Sequence, residues 1–172
     1  MTHLEAAKKI RLLILDVDGV LTDGRLYYGN SGEEMKAFNI QDGLGIKMLQ
    51  RGGISVGIIT GRVSNLLQRR AKELGIDPVV QGREDKLTAL NELLASSDLE
   101  MDEIAHLGDD LPDLPVIRKV GLGMTVANGR PMLAEHARWQ TSRSGGDGAV
   151  REVAEMILAA QGKLDQILAA YL

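Results

Sequence analysis

Ile10-Arg11-Leu12-Leu13-Ile14-Leu15-Asp16-Val17-Asp18-Gly19 is the stretch on which the fold turns. A run of Ile and Leu with one early Arg reads as a strand buried on both faces, as in parallel sheets whose crossovers are helices. Two carboxylates then stand at the strand's carboxyl end, before the turn Gly19-Val20-Leu21-Thr22-Asp23-Gly24. Ligands of open α/β sheets bind outside such strand ends, and a pair of acids there can hold a divalent cation while one attacks or donates a proton.

Outward from this strand the pattern alternates. Leu26 to Tyr28 and Met35 to Ile40 flank the turn residues Gly29-Asn30-Ser31-Gly32 and predict a hairpin, with Glu33-Glu34 as solvated charge. Asp42 is placed to cap a helix from about Gly43 to Arg51, stopped by Gly52-Gly53. Ile54 to Ile59 is a second buried strand, and Val63 to Leu74 has helical spacing. Pro78 to Gln81, Ile104 to Leu107 and Gly121 to Val126 read as further strands, with helices at Asp85 to Leu94, at Leu114 to Lys119 and after Pro131. Trp139-Gln140-Thr141 and a Gly-rich turn at Ser144 to Gly148 lead to one long helix from Ala149 to Leu172. This cadence predicts one α/β domain over 1–172 with a doubly wound, mostly parallel sheet.

Composition narrows the function. The chain has 172 residues, 44% hydrophobic and 3% aromatic, so its core must come from aliphatic side chains. The 24 acidic and 20 basic residues give a net charge of −4, with no basic stripe or stacking aromatics for nucleic acid. There is no Cys, hence no disulfide scaffold or thiolate chemistry. Lys8, Lys9 and Arg11 before the first strand echo a secretory leader, but Asp16 and Asp18 interrupt it early. No run approaches the roughly 18 apolar residues of a membrane span, and the expectation is a soluble, cytoplasmic protein.

Asp16 and Asp18, Thr60-Gly61-Arg62, Lys86 and Asp109-Asp110 each follow a predicted strand or open a helix, so they should converge at one sheet edge. The Thr60 hydroxyl with the N-terminus of the following helix suits a phosphate. Lys86 brings a mobile positive charge, and Asp16 with Asp109 offers oxygen ligands of the kind Mg²⁺ favours. Asp110 and Asp113 read either as cap acids or as partners of the site. His106 reads as a satisfied core residue.

The order and context resemble the haloacid dehalogenase superfamily of phosphohydrolases. Its four motifs match as Asp16-Val17-Asp18-Gly19-Val20, Ile58-Ile59-Thr60-Gly61-Arg62, Lys86 and Gly108-Asp109-Asp110. The resemblance implies a phosphoric monoester hydrolase in which Asp16 is the nucleophile and Asp18 the acid and base, a role that needs a raised pKa. It makes Thr60 and Lys86 catalytic partners, and assigns Mg²⁺ to Asp16, Asp109 and the backbone carbonyl of Asp18. No cap domain fits between Gly24 and Ile54 or between Thr60 and Lys86. A hairpin over about 25–40 stands in its place, which implies a homo-oligomer whose neighbours close the site.

Asp16 to Gly24, Phe38 to Gly45, Gly61-Arg62 with Arg70, Gln81-Gly82, Gly108 to Asp113 and Gly145 to Val153 further resemble the capless, tetrameric branch acting on 3-deoxy-D-manno-octulosonate 8-phosphate. That resemblance implies a substrate pocket lined by Asp18, Asn39, Ile40, Gln41, Asp42, Gly43, Lys47, Thr60, Gly61, Arg62, Arg70 and Lys86. Some members carry Arg in place of Gln41 and of Lys47. Relatives acting on nine-carbon keto-sugar acid 9-phosphates typically carry Glu where Arg62 stands. A nine-carbon or broad sugar phosphatase, and a phosphoacceptor signalling domain, are the alternatives.

Overall fold

In the computed structural model, residues 1–32 and 34–172 are described, with Glu34 by backbone alone; the solvated charge expected at Glu33-Glu34 lies outside the described side chains. β1 (Leu12–Leu15) is the pivot. It pairs in parallel with β4 (Ser55–Ile59) on one side and β6 (Ile104–Gly108) on the other. β5 (Val79–Val80) extends the sheet beyond β4, and β7 (Leu122–Thr125) then β8 (Trp139–Gln140) extend it beyond β6. Every strand pair in this sheet is parallel.

β1 is buried along its length because its side chains serve two cores. Leu13 and Leu15 enter the layer with Ile46, Leu67, Val150 and Ile157, whereas Leu12 and Ile14 enter the opposite layer with Leu90, Ile104 and Val116. The first layer is built by α1 (His3–Ala7), α2 (Ile40–Arg51), α3 (Asn65–Leu74) and α7 (Ala149–Ala160). The second is built by α4 (Lys86–Leu94) and α5 (Leu114–Ile117). α6 (Pro131–His136) follows β7. The chain runs from β1 outward to β5, then returns to β6 on the other side, so the strand order reverses between β1 and β6. That switch point is where a doubly wound sheet opens a crevice at its carboxyl edge.

Several expected boundaries moved. The helix expected from Gly43 starts at Ile40, because Asn39 and not Asp42 caps it: the Asn39 side chain accepts the N–H groups of Gln41 and Asp42. The hairpin shrinks accordingly to β2 (Tyr27–Tyr28) and β3 (Glu34–Met35), and Ile40 belongs to the helix. α3 starts at Asn65, with Ser64 accepting the N–H of Leu67. The long helix expected from Ala149 to Leu172 stops at Ala160, where Gly162 turns left-handed (φ +67°), and resumes as α8 (Leu164–Ala169). α1, capped reciprocally by Thr2 and Glu5, was not expected. No helix among the described residues is long and apolar enough to cross a membrane.

Candidate active site

The carboxyl ends of β1, β4 and β6 deliver Asp16, Thr60 and Asp109 to one cleft of about 310 Å³, which Asp18, Gly61, Arg62, Glu84, Lys86, Asp110 and Asp113 also line. The convergence expected at one sheet edge is therefore present. The loop after Asp16 is wound tightly: Val17 O accepts the N–H groups of Val20, Leu21 and Thr22, and Thr22 Oγ1 accepts those of Gly19 and Gly24. The Gly-rich turn before α7 braces it from outside, with Gly146 N donating to Val20 O at 2.9 Å. Gly145 must be glycine, since a Cβ there would lie 1.7 Å from Gly19 O.

Lys86 is buried at the first position of α4 and its Nζ donates to Asp113 Oδ1 at 2.7 Å while lying 2.7 Å from Asp16 Oδ1. Burial alone would lower the Lys86 pKa, but the Asp113 and Asp16 carboxylates outweigh it and raise it. Burial and the charge of Asp113 push Asp16 upward against the pull of Lys86. Asp109 is pushed up to about 7 by burial and by Asp16, Asp113 and Asp110. Burial would also raise Asp113, yet His106 and Lys86 hold it at about 2. More carboxylates than cations share a site of low polarity, which raises Asp16, Asp109 and Lys86, and only Asp113, which holds both His106 and Lys86, is lowered.

That crowding suits a small hard cation. Asp16, Asp109 and Asp113 each present one oxygen, all within 4.8 Å of one another. Asp113 is the most committed of the three, because Oδ1 accepts from Lys86 and His106 and Oδ2 accepts the N–H groups of Asp109 and Asp110. Asp16 and Asp109 have the oxygen to give.

Asp18 faces the hairpin side. Lys36, whose side chain is almost wholly buried, donates to Asp18 Oδ1, and Arg62 Nε lies 3.6 Å from Asp18 Oδ2. Arg62 also donates to the hydroxyl of Tyr28 at 3.2 Å. The sequence did not point to Lys36, which looked like one hairpin residue among several. Gly61-Arg62, and not a helix N-terminus, borders the cleft beyond Thr60, because α3 starts later than expected and Ser64 caps it.

Other expected pocket residues do not reach this cleft within one chain. Asn39 caps α2, and its side-chain amide donates to Gly146 O at 3.4 Å. Ile40 is 83% exposed, and Gln41 lines a separate concavity with Arg143 and Arg151. Asp42 is buried with Oδ1 accepting the N–H of Arg151 in the first turn of α7. Gly43 lies under Arg70, whose guanidinium a Cβ would meet at 2.5 Å, and Arg70 itself sits over the Phe38 ring. Lys47 points to Gly75 at the far end of α3.

The comparisons with known proteins agree with this geometry. The family described as haloacid dehalogenase-like hydrolase matches residues 79–153, which hold Lys86, Asp109 and Asp113. The 3-deoxy-D-manno-octulosonate 8-phosphate phosphatase KdsC of Yersinia pestis is 51% identical over 162 residues, 94% of this chain and 87% of its own. The chain belongs to the 3-deoxy-D-manno-octulosonate 8-phosphate phosphatase family of haloacid dehalogenase-like hydrolases. The Moraxella catarrhalis phosphatase, solved with a magnesium ion, a phosphate ion and a KDO molecule, superposes with a TM-score of 0.97 at 46% identity, covering 99% of this chain and 98% of the other. The cobalt-bound phosphatase of Haemophilus influenzae gives 0.90 at 39% identity over 95% and 99%. Membership of this phosphatase family disposes of the signalling-domain alternative, and the parallel sheet without a cap is the fold of the family.

Proposed function

We propose that this chain is a Mg²⁺-dependent cytoplasmic phosphomonoesterase that hydrolyses 3-deoxy-D-manno-octulosonate 8-phosphate to the free sugar acid and phosphate, in lipopolysaccharide precursor synthesis. The observation that carries the reading is the pairing of a buried Asp16 with Lys86 at the switch point, with Asp109 opposite. The family relationship supports the substrate.

Asp16 is the nucleophile: one carboxylate oxygen bonds to phosphorus as the bond from phosphorus to the sugar oxygen breaks, leaving an aspartyl-phosphate. Asp18 gives its proton to the leaving alkoxide, then takes one from the water that hydrolyses the acyl phosphate. Lys86 keeps Asp16 anionic and turned into the cleft, and Thr60 and the Gly61-Arg62 loop hold the phosphoryl oxygens. Asp16, Asp109 and the Asp18 carbonyl are the ligands for Mg²⁺, which when bound draws charge from the phosphoryl oxygens and lessens their repulsion of the attacking carboxylate.

The whole of 1–172 acts as one phosphatase domain, and the hairpin replaces a cap by joining subunits. Support comes from exposed apolar side chains on the hairpin and near it in the chain: Tyr28 (65%) and Met35 (66%) on its strands, Ile40 at the start of α2 and Val63 (71%) after Arg62. Apolar side chains exposed together in this way are what a subunit contact would cover. A homotetramer covers it, and Asn39, Ile40, Gln41, Gly43, Lys47 and Arg70 then contribute to sugar recognition across subunits, with Asp42 supporting them from within α2.

A phosphate-release screen with Mg²⁺ over eight- and nine-carbon keto-sugar acid phosphates and simple sugar phosphates tests the reading. Preference for the octulosonate, abolished in D16N, is expected. Equal rates across the panel would indicate a general sugar phosphatase. Analytical ultracentrifugation that found a monomer at every concentration would remove the subunit-completed site.

A further inference from the structure

Behind Asp16 lies a chain of buried polar side chains that runs into the sheet. Lys86 Nζ and His106 Nε2 both reach Asp113 Oδ1, at 2.7 and 2.9 Å. His106 is wholly buried in β6, and Asp113 and Lys86 are nearly so. The other side chains of that strand, Ile104, Ala105 and Leu107, are apolar. An apolar side chain would fit the same strand interior without the cost of desolvating an imidazole, so what the ring contributes is its hydrogen bond.

The ring's other nitrogen identifies the tautomer. Nδ1 is buried and has no hydrogen-bond partner among the described residues. A proton there would be a buried donor without an acceptor, whereas a proton on Nε2 meets a carboxylate. Nε2–H is therefore the donor. It occupies one direction at Asp113 Oδ1 while the backbone N–H groups of Asp109 and Asp110 hold Oδ2. The carboxylate cannot turn to take Lys86 on both oxygens. Lys86 is left one approach, which leaves Nζ within 2.7 Å of Asp16 Oδ1.

We propose that His106 is a positioning residue for phosphoryl transfer, fixing through its Nε2–H the Asp113 carboxylate that aims Lys86 at Asp16. The proposal rests on the phosphatase reading and extends it to a residue that touches neither substrate nor metal.

The test compares H106L, which removes the donor, with H106Q, whose amide reaches about as far as Nε2. Each is assayed for phosphate release from the octulosonate phosphate with Mg²⁺, at matched folded fraction by circular dichroism. H106L should lose kcat by about 10- to 100-fold, the usual cost of removing an orienting partner, with KM within about twofold, and H106Q should recover most of it. In a D113N background H106L should cost nothing further. A folded H106L with wild-type kcat, a Gln no better than Leu, or additive losses would each overturn the proposal. Histidine ¹⁵N shifts of the wild-type protein give a readout independent of turnover and of how the variants fold: a protonated Nε2 is expected, and an unprotonated Nε2 would sink the link. If the wild-type protein releases phosphate from no sugar phosphate, it is the phosphatase reading that fails, and the nitrogen shifts still decide the His106–Asp113 bond.

Discussion

Gly19 and Asp109 stand so close that a Cβ at residue 19 would lie 2.1 Å from Asp109 Oδ2. Gly19 also has φ +98°, a conformation that side chains resist. The tight loop after Asp16 and the acid after β6 can pack this closely only because residue 19 has no side chain. G19A should therefore displace Asp109 and lose Mg²⁺ affinity and turnover together. Calorimetric Mg²⁺ titration checks it, and wild-type affinity in a folded G19A would contradict the assignment of Asp109.

Lys86 is the cation between two buried carboxylates, so removing it does two things at once. K86M should cut kcat by on the order of 10²-fold or more, as losing a preorganised charge does. It should also destabilise the metal-free protein by about 3–5 kcal/mol, because Asp16 is left buried without its cation and Asp113 keeps only His106 and two backbone N–H groups. Urea unfolding in chelator measures the second effect, and steady-state kinetics the first.

The raised carboxyl groups make the metal-free protein sensitive to pH. Asp109 titrates near 7 in the folded chain and at about 3.9 when unfolded. Between those values the folded state holds a proton that the unfolded chain has released, so stability falls as pH rises through that window. Asp16 is raised and acts in the same direction. Asp113, held at about 2, has its opposite contribution complete above pH about 4 and adds no slope there. Mg²⁺ needs the ionised form, so its stabilising effect should grow with pH. Melting temperatures with chelator and with Mg²⁺ at about pH 5.5 and about pH 8 test this, and an equal metal shift at both would exclude Asp109 as a ligand.

Legibility from sequence followed the range of the interactions. β1 was readable because burial on both faces leaves an uninterrupted apolar run, and Asp16, Thr60, Lys86 and Asp109 were readable because strand ends put them in context. Lys36 was not, since its reach to Asp18 depends on how the chain returns from the hairpin. His106 is the satisfied core residue its strand position suggests, but its partner is not legible, because Asp113 lies seven positions on, past the strand in a 3₁₀ turn (Leu111–Asp113). The start of α2 was misjudged for a local reason: Asn39 and Asp42 both have cap chemistry, and only the structure shows that Asp42 is engaged elsewhere.

That engagement gives Asp42 a structural task at the start of α7. α7 begins after Gly148, which has no side chain to satisfy the helix's first N–H groups. Asp42 Oδ1, from the facing α2, accepts the N–H of Arg151 at 2.9 Å and acts as the missing cap. Gly45 lets the helices approach this closely, since a Cβ there would lie 2.9 Å from Arg151 Cα. Burial raises the Asp42 carboxyl, and the backbone donors of Arg151, Gly148 and Val150 oppose the rise. D42A should therefore lower unfolding free energy by about 0.5–2 kcal/mol, the usual cost of a lost cap, while kcat and KM per folded enzyme stay within about twofold. If Asp42 contacts the sugar directly, the pattern reverses: KM for the octulosonate phosphate rises tenfold or more and the urea midpoint holds. Measuring both on one variant separates a carboxylate that holds α7 in place from one that reads the substrate.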